Sequence, residues 1–259
     1  PEQPGMTMQM GPAHRRYSFM IFADESPADA VTPASVWRRL NRPEGGTPDE
    51  MELIRAVSYR FRSLIATRWR VGRALLAGDS AHQMPPFLAQ GLCSGFRDAY
   101  NLGWKLDLVL RELASPALLD TYEAERAPNA RSTIIESARV GQNVIERDPE
   151  RAKVRDAQLT ALAAAQNPSK QLIAFRVPGI TNGLIGDTIG AGDLFGQARM
   201  RAGASEGRFD DLAGRGFLII ARGVDPWAAL DEADRTFWRS IGGRCVRIDG
   251  QPTVDAPAI

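Results

Sequence analysis

The stretch from residue 74 to residue 106, ALLAGDSAHQMPPFLAQGLCSGFRDAYNLGWKL, constrains the fold more than any other part of the chain. An apolar run ends at Gly78 and Asp79, two prolines follow, and a glycine-rich turn opens an amphipathic segment. After Gly95 apolar residues recur at steps of three and four, which predicts a long helix with a buried apolar face. The apolar positions of this helix are Phe96, Ala99, Leu102, Leu106, Leu110 and Leu113.

Three apolar segments outside that helix predict strands. Residues 17–23 (YSFMIFA) are rich in aromatic residues and predict a buried strand. Residues 56–62 alternate apolar and polar side chains, which predicts a strand with one solvated face. The wholly apolar run 74–77 predicts a strand buried on both faces, as in a parallel sheet.

Helix signals fill most of the chain between residues 115 and 166. Ser115 and Asp148 each stand before a proline and predict the N-caps of two helices. The first helix should be interrupted at Pro128 and end near Glu146, and the second should reach Gln166. Closer to the C-terminus, a strand, a helix and a strand are predicted in the order β-α-β over 216–221, 227–241 and 244–248.

Composition narrows the classes of function. The 259 residues are 44% hydrophobic and 24% charged with a formal net charge of +1, which gives no reason to expect nucleic acid as a partner. No apolar run is long enough to span a bilayer. Two cysteines favour a reducing, cytoplasmic location over a disulfide framework. Two histidines and two cysteines, widely spread, predict no metal site.

The Gly-Asp turn is the strongest candidate for a binding site. An Asp just past a parallel strand lies at the sheet edge where open α/β folds bind ligands, and its carboxylate can accept hydrogen bonds from sugar hydroxyls. Gly91 and Gly95 allow close backbone approach to a flat ligand, and the following helix N-terminus favours negative charge. The alternative is that Asp79 merely caps a turn in a loop packed for shape.

Two other motifs are weaker candidates for a functional site. The GDS sequence can mark a hydrolase with Ser80 as nucleophile, but the chain offers only His14 and His82 as a base. The run GAGDLFG over 190–196 approximates a dinucleotide fingerprint, yet no strand is predicted before it, so a loop is expected.

The longest motif resembles a known family. GRALLAGDSAHQMPPFLAQGLCSGFRDAYNLGWKLDLVL, with LLDTYEAERAPNA after it and ATRWRVGR before it, resembles the Gly-Asp region of the class A FAD-dependent aromatic monooxygenases. Phenol and 3-(3-hydroxyphenyl)propionate hydroxylase-like members are the nearest in pattern, and the resemblance covers residues 56–140 well. HRRYSFMIF resembles a strand of that family's substrate-binding sheet.

The resemblance implies a cofactor and its ligands. FAD is the implied cofactor, NAD(P)H the co-substrate and a small aromatic compound the substrate, which is hydroxylated with O2 through a flavin C4a-hydroperoxide. The implied cofactor-binding residues are Gly78, Asp79, Pro86, Gly91, Leu92 and Cys93. Asp79 would bind the sugar part of FAD, and Pro86 would lie near the isoalloxazine ring. The backbone N–H groups of Gly91, Leu92 and Cys93 would face the pyrimidine end of that ring. Arg126 would form a structural ion pair, and no catalytic residue is assigned.

The implied fold is α/β, part of a Rossmann-like FAD domain with strands of the substrate-domain sheet and an incomplete thioredoxin-like β-α-β extension. The implied boundaries are 1–70 for the substrate sheet, 71–166 for the FAD domain, 167–192 for a linker and 193–259 for the extension. A homodimer is compatible with this organisation.

The chain also departs from the family pattern. The G-x-G-x-x-G fingerprint is absent, Ala89 stands where Gly is common, and Cys93 stands where Asn is common. We therefore expect a C-terminal fragment of a flavin hydroxylase that is inactive by itself; an inactive remnant or interaction module is the alternative.

Overall fold

The computed structural model describes residues 3–41, 46–164, 177–202 and 204–249. The described residues of Pro1–Arg97 and Ala130–Phe175 form one compact unit, and those of Asp98–Asn129 and Arg176–Ile259 form a second. None of the helices in these described ranges is long and apolar enough to cross a membrane.

The first unit begins with an antiparallel strand pair and two short helices. These elements are β1 (Gly5–Gln9), β2 (Arg15–Phe19), α1 (Pro27–Ala30) and α2 (Pro33–Leu40). The predicted buried strand over 17–23 is wrong in length and burial, because β2 ends at Phe19 and its residues are exposed or half-buried. The one strand that pairs with it in the described chain is β1, whose five residues are all exposed, so neither strand of the pair contains a fully buried residue.

Four short strands precede and follow the Gly-Asp turn in the sequence: β3 (Leu64–Ile65), β4 (Arg70–Val71), β5 (Ala74–Leu75) and β6 (His82–Gln83). β3 pairs with β6 and β4 pairs with β5, both antiparallel. The prediction of a buried parallel strand over 74–77 is therefore wrong. Gly72 adopts φ +58°, which permits a tight turn, and the turn pairs this segment with the residues just before it.

The predicted strand over 56–62 is also wrong. Residues 52–63 form no regular element, and both sets of alternating side chains are mostly exposed. Val57 is 61% exposed and Tyr59 is 62% exposed, so no face of this segment is buried. A strand needs a neighbour for its backbone groups, and no described strand runs beside these residues.

Three helices follow the turn: α3 (Gly91–Leu110), α4 (Asp120–Ile145) and α5 (Pro149–Ala164). α3 begins at Gly91, ahead of the predicted start after Gly95, and ends before Leu113. The Ser115 hydroxyl caps a 3-10 turn that leads into α4, and Asp148 accepts a hydrogen bond from the Arg151 N–H at 2.9 Å, so both predicted caps are confirmed. α4 continues through Pro128, so the predicted interruption is wrong. Gln166, the predicted end of α5, lies outside the described residues.

The second unit contains the predicted β-α-β order. β9 (Leu218–Arg222) and β10 (Arg244–Ile248) are parallel, with α7 (Glu232–Ser240) between them in the sequence. Because a parallel pair requires a crossover, this arrangement confirms the β-α-β prediction. A hairpin of β7 (Arg199–Ala202) and β8 (Ser205–Arg208), followed by α6 (Phe209–Ala213), was not predicted, since glycines interrupt its apolar pattern. Residues 190–196 form turns and irregular chain, as expected for a loop.

Candidate functional site

The Gly-Asp motif forms a 3-10 turn over Gly78–Ser80. Gly78 adopts φ +59°, which a side chain would strain. The Ser80 hydroxyl donates a hydrogen bond to the Ala77 carbonyl at 2.7 Å and accepts one from the Ala77 N–H at 3.2 Å. Ser80 thus closes the turn, and this is the role that the sequence had left open for Asp79.

The Asp79 carboxylate is free to bind a ligand. The residue is exposed, and within the described chain its side chain makes no hydrogen bond or ion pair. An aspartate that only caps a turn would hydrogen-bond to nearby backbone N–H groups. The turn-capping alternative therefore does not describe this residue.

A pocket of about 450 Å³ lies between the turn and the first residues of α3. Its lining residues are Gly78, Asp79, Gly91, Leu92, Gly95 and Phe96. The backbones on its two sides approach closely, because a Cβ atom built on Gly95 would lie 3.5 Å from the Gly78 Cα atom. The two glycines thus bring turn and helix so close that a Cβ atom on Gly95 would already be in van der Waals contact with Gly78.

The N-terminus of α3 presents unpaired backbone donors to this region. The Ser94 N–H donates to the Gln90 carbonyl at 2.8 Å and makes the first bond of the helix. Within the described residues, the N–H groups of Gly91, Leu92 and Cys93 have no acceptor. The helix dipole adds roughly half a positive charge at this end, so the site favours a negatively charged group.

A rigid proline turn connects the two sides of the pocket in the sequence. Pro86–Leu88 form a 3-10 turn, and the buried Ser137 hydroxyl donates to the Pro85 carbonyl at 2.6 Å. The Phe87 ring lies against Gly141, where a Cβ atom would overlap it. Ser137 and Gly141 are four residues apart on α4 and so share a face of the helix, which identifies them as the supports of this turn.

His82 is a structural residue of the same region. It is 1% exposed, pairs with Ile65 across β3 and β6, and its ring centroid lies 5.4 Å from that of the buried Trp69. Its burial and its strand pairing give His82 a structural role beside the turn. The Ser80 hydroxyl is already used to close the turn, so the geometry gives no support to a Ser80 nucleophile.

In the second unit, α3 buries charged and polar side chains. Asp98 and Lys105 are fully buried, and each pairs with a residue of α4. The Arg126 Nε atom donates to Asp98 Oδ1 at 2.8 Å, and the Lys105 Nζ atom donates to Glu125 Oε2 at 2.7 Å. The structural ion pair expected for Arg126 is confirmed.

The predicted apolar face of α3 is correspondingly wrong. Phe96 is 65% exposed and Leu110 is 79% exposed, whereas Leu102 is buried. A buried charge is tolerated when a partner neutralises it, and here Glu125 and Arg126 on α4 supply the partners. Apolar periodicity contains no information about these partners.

The pocket unites four of the six predicted site residues: Gly78, Asp79, Gly91 and Leu92. Pro86 and Cys93 do not line it; both are exposed, one in the proline turn and one in the first turn of α3. Two further residues line the pocket. Gly95 was expected to allow close backbone approach to a ligand, although it is not among the six implied FAD-binding residues. Phe96 was missed, because its helical spacing assigned it to a buried helix face.

Comparison with known proteins identifies the family. The family described as "FAD binding domain" matches residues 1–137, and "HcaD C-terminal domain" matches residues 192–258. A probable NADH-specific resorcinol 4-hydroxylase of Rhodococcus jostii (strain RHA1) is 40% identical over 266 residues, which cover 100% of this chain and 48% of that protein. A 3-(3-hydroxy-phenyl)propionate/3-hydroxycinnamic acid hydroxylase of Mycolicibacterium smegmatis is 36% identical over 252 residues, which cover 93% of this chain and 45% of that protein.

A solved structure has the same fold. CabE, an aromatic hydroxylase from angucycline biosynthesis, matches with a TM-score of 0.72 and 26% sequence identity over 99% of this chain and 52% of CabE. The chain spans about half the length of the relatives it matches. The mixed α/β architecture, the free aspartate beside an open helix end and these similarities agree with one another. The chain belongs to the class A FAD-dependent aromatic monooxygenases.

Proposed function

We propose that this chain provides the sugar-binding and pyrimidine-binding part of an FAD site in an enzyme that hydroxylates a phenolic ring with NAD(P)H and O2. The observation that carries the proposal is the pocket between the free Asp79 carboxylate and the open N-terminus of α3. The relatives' names supply the reaction class, since they include a resorcinol 4-hydroxylase and a hydroxyphenylpropionate hydroxylase.

The residues at the pocket fit a flavin with a sugar-like tail. Asp79 would accept hydrogen bonds from ribityl or ribose hydroxyls. Within the described chain no donor occupies its exposed carboxylate, so both oxygens are available to the ligand. Gly78 and Gly95 would let the tail pass close to the backbone, because neither presents a side chain. The ligand is thus positioned by one anionic acceptor and two bare stretches of backbone.

The helix end fits the other part of the cofactor. Bound FAD supplies the redox group that accepts electrons from NAD(P)H and activates O2. The N–H groups of Gly91, Leu92 and Cys93 would stabilise negative charge on the pyrimidine end of the ring. They are fixed by the helix before any ligand arrives, so little reorganisation is needed.

Pro86 would lie against the isoalloxazine ring. The proline turn is held by the Ser137 hydroxyl on one side and by the contact of Phe87 with Gly141 on the other. A turn with two fixed φ angles and a buried hydrogen bond presents a rigid surface to a flat ring. Its role would be to position the ring and exclude water from that side.

We further infer that the diphosphate of FAD is bound by residues other than these 259, since they contain no G-x-G-x-x-G fingerprint. The β9-α7-β10 unit, with its parallel strand pair, supports a thioredoxin-like extension after residue 193. Two free cysteines support a reducing, cytoplasmic location.

The test is FAD affinity and aromatic-dependent NADH oxidation in the complete gene product, with Asp79→Ala beside Asp107→Ala. Asp107 is also exposed, but it is not a lining residue of the pocket and it pairs with Arg111 at 3.0 Å. Removing a charged hydrogen-bond acceptor should weaken FAD binding at least about tenfold. Asp107→Ala should leave FAD affinity unchanged.

Two results would contradict the proposal. Unchanged FAD affinity in Asp79→Ala would remove Asp79 from the site. A complete gene product that oxidises no NADH in the presence of phenols would favour the inactive remnant. Tight stoichiometric FAD in the isolated 259-residue chain would disprove the inference about the diphosphate.

A further inference from the structure

Three aromatic rings form a row that ends at the proline turn. Tyr59 and Phe61 have ring centroids 6.0 Å apart, with 52° between their planes. Phe61 and Phe87 have centroids 5.4 Å apart, with an edge-to-face angle of 87°. Phe87 belongs to the 3-10 turn Pro86–Leu88, so the row runs from the irregular segment before β3 to the turn proposed to face the flavin.

The outer part of this aromatic row is exposed. Tyr59 is 62% exposed and Phe61 is 42% exposed, while Phe87 is half-buried against Gly141. Within the described residues, the Tyr59 hydroxyl makes no hydrogen bond. The row is thus fixed at its inner end and has free ring faces and a free hydroxyl at its outer end.

We propose that Tyr59 and Phe61 bind the aromatic ring of the substrate and position it beside the proline turn. This inference rests on the proposed function. Aromatic rings pair in tilted or edge-to-face geometry at centroid distances of about 4.5–7 Å, and the row already repeats that spacing twice. A phenolic ring can extend the row in the same geometry, and the Tyr59 hydroxyl can exchange a hydrogen bond with the phenol.

A phenol matches the chemistry of this surface. The row offers aromatic rings and one hydroxyl, that of Tyr59, and a phenol carries both a ring and a hydroxyl to meet them. The tilted pairing leaves separate ring faces rather than a flat apolar patch, which suits a small planar ligand. The proline turn places the ligand next to the group that would act on it.

The experiment measures resorcinol binding to the FAD-loaded complete gene product by calorimetry, for Tyr59→Leu, Phe61→Leu and the control Val57→Leu. Val57 precedes Tyr59 by two residues and is 61% exposed against 62%, but it has no aromatic ring and so cannot pair with a phenol in this way. Loss of one aromatic partner should raise the Kd of resorcinol about fivefold in the first two variants. The control should bind resorcinol as the parent does.

A second phenol, 3-(3-hydroxyphenyl)propionate, is measured in parallel. Tyr59→Phe distinguishes the effect of the ring from that of the hydroxyl. This variant should keep the part of the phenol affinity that comes from ring pairing and lose only the part that comes from the hydrogen bond. Melting temperature and FAD affinity should stay unchanged in Tyr59→Leu, because its side chain is exposed.

The outcomes separate this inference from the proposed function. If the parent protein binds FAD and oxidises NADH with phenols, yet Tyr59→Leu and Phe61→Leu bind both phenols within twofold of the parent, the inference is wrong and the function stands. If both variants instead lose stability or FAD affinity with unchanged phenol binding, the row is an internal packing surface and the inference is wrong. If the parent shows no phenol-dependent NADH oxidation, both are wrong.

Discussion

Substitution of Glu125, whose carboxylate is buried, should lower the free energy of unfolding more than substitution of most other residues. It is 4% exposed and accepts three hydrogen bonds: from Lys105 Nζ at 2.7 Å, from Asn101 Nδ2 at 2.6 Å and from the Leu184 N–H at 3.1 Å. Glu125→Gln retains the shape but removes the charge that neutralises the fully buried Lys105 ammonium. Removing one partner of a buried pair costs about 3–5 kcal/mol, so we expect a loss of that size in the free energy of unfolding.

Urea unfolding followed by far-ultraviolet circular dichroism measures this loss. The double variant Lys105→Met/Glu125→Gln should recover most of it, because replacing both charges leaves no buried ion without a partner. Glu136→Gln is the control. Glu136 pairs with Arg139 at 2.6 Å on the protein surface, so removing this ion pair should cause no detectable change in the free energy of unfolding. A loss below about 1 kcal/mol in Glu125→Gln, or strictly additive losses in the double variant, would refute the reasoning.

The same pair predicts a pH dependence. Burial raises the pKa of Glu125, but the hydrogen bonds from Asn101, Lys105 and Leu184 outweigh it and hold the pKa below the ordinary value of 4.5. A carboxyl whose pKa is lowered by folding contributes stability above its unfolded pKa and loses it as the pH falls through the folded pKa. The parent and Glu125→Gln should therefore differ most in free energy of unfolding at neutral pH, and this difference should shrink once the pH falls below 4.5.

Two glycine-related changes test the packing and backbone strain of the proline turn. Gly141→Ala should lower the free energy of unfolding by about 1–2 kcal/mol, because the new Cβ atom overlaps the Phe87 ring and outweighs the gain in helix propensity. The control is Gly103→Ala, because nothing lies within 4 Å of its new Cβ atom. In urea unfolding this control should gain about 0.5–1 kcal/mol in the free energy of unfolding. Equal effects at both glycines would contradict the inference that Gly141 supports the Phe87 ring. Ala89→Gly should stabilise the chain by about 0.5–1 kcal/mol in urea unfolding, since Ala89 has φ +52° and ψ +31° in the left-handed region, and a destabilised variant would show that this strain is absent.

The parts of the site that could be predicted were those with signals inside one short segment. The glycines and Asp79 belong to one motif, and four of the six predicted residues line one pocket. Ser137 and Gly141 could not be found in this way, because their role depends on α4 packing against the proline turn, more than fifty residues earlier in the sequence. The same holds for the row from Tyr59 to Phe87, which joins two segments separated by four short strands.

The sequence by itself determined the helix caps at Ser115 and Asp148, the β-α-β order near the C-terminus and the family, since each depends on residues close together or on a long continuous motif. Only the tertiary structure decided which face of α3 is buried and how the strands pair. The Lys105 and Asp98 side chains are buried because α4 supplies opposite charges, and residues 74–75 pair with β4 because the turn at Gly72 brings β4 beside them. Periodicity records how often apolar residues recur, whereas burial and pairing depend on which partner the fold places opposite them.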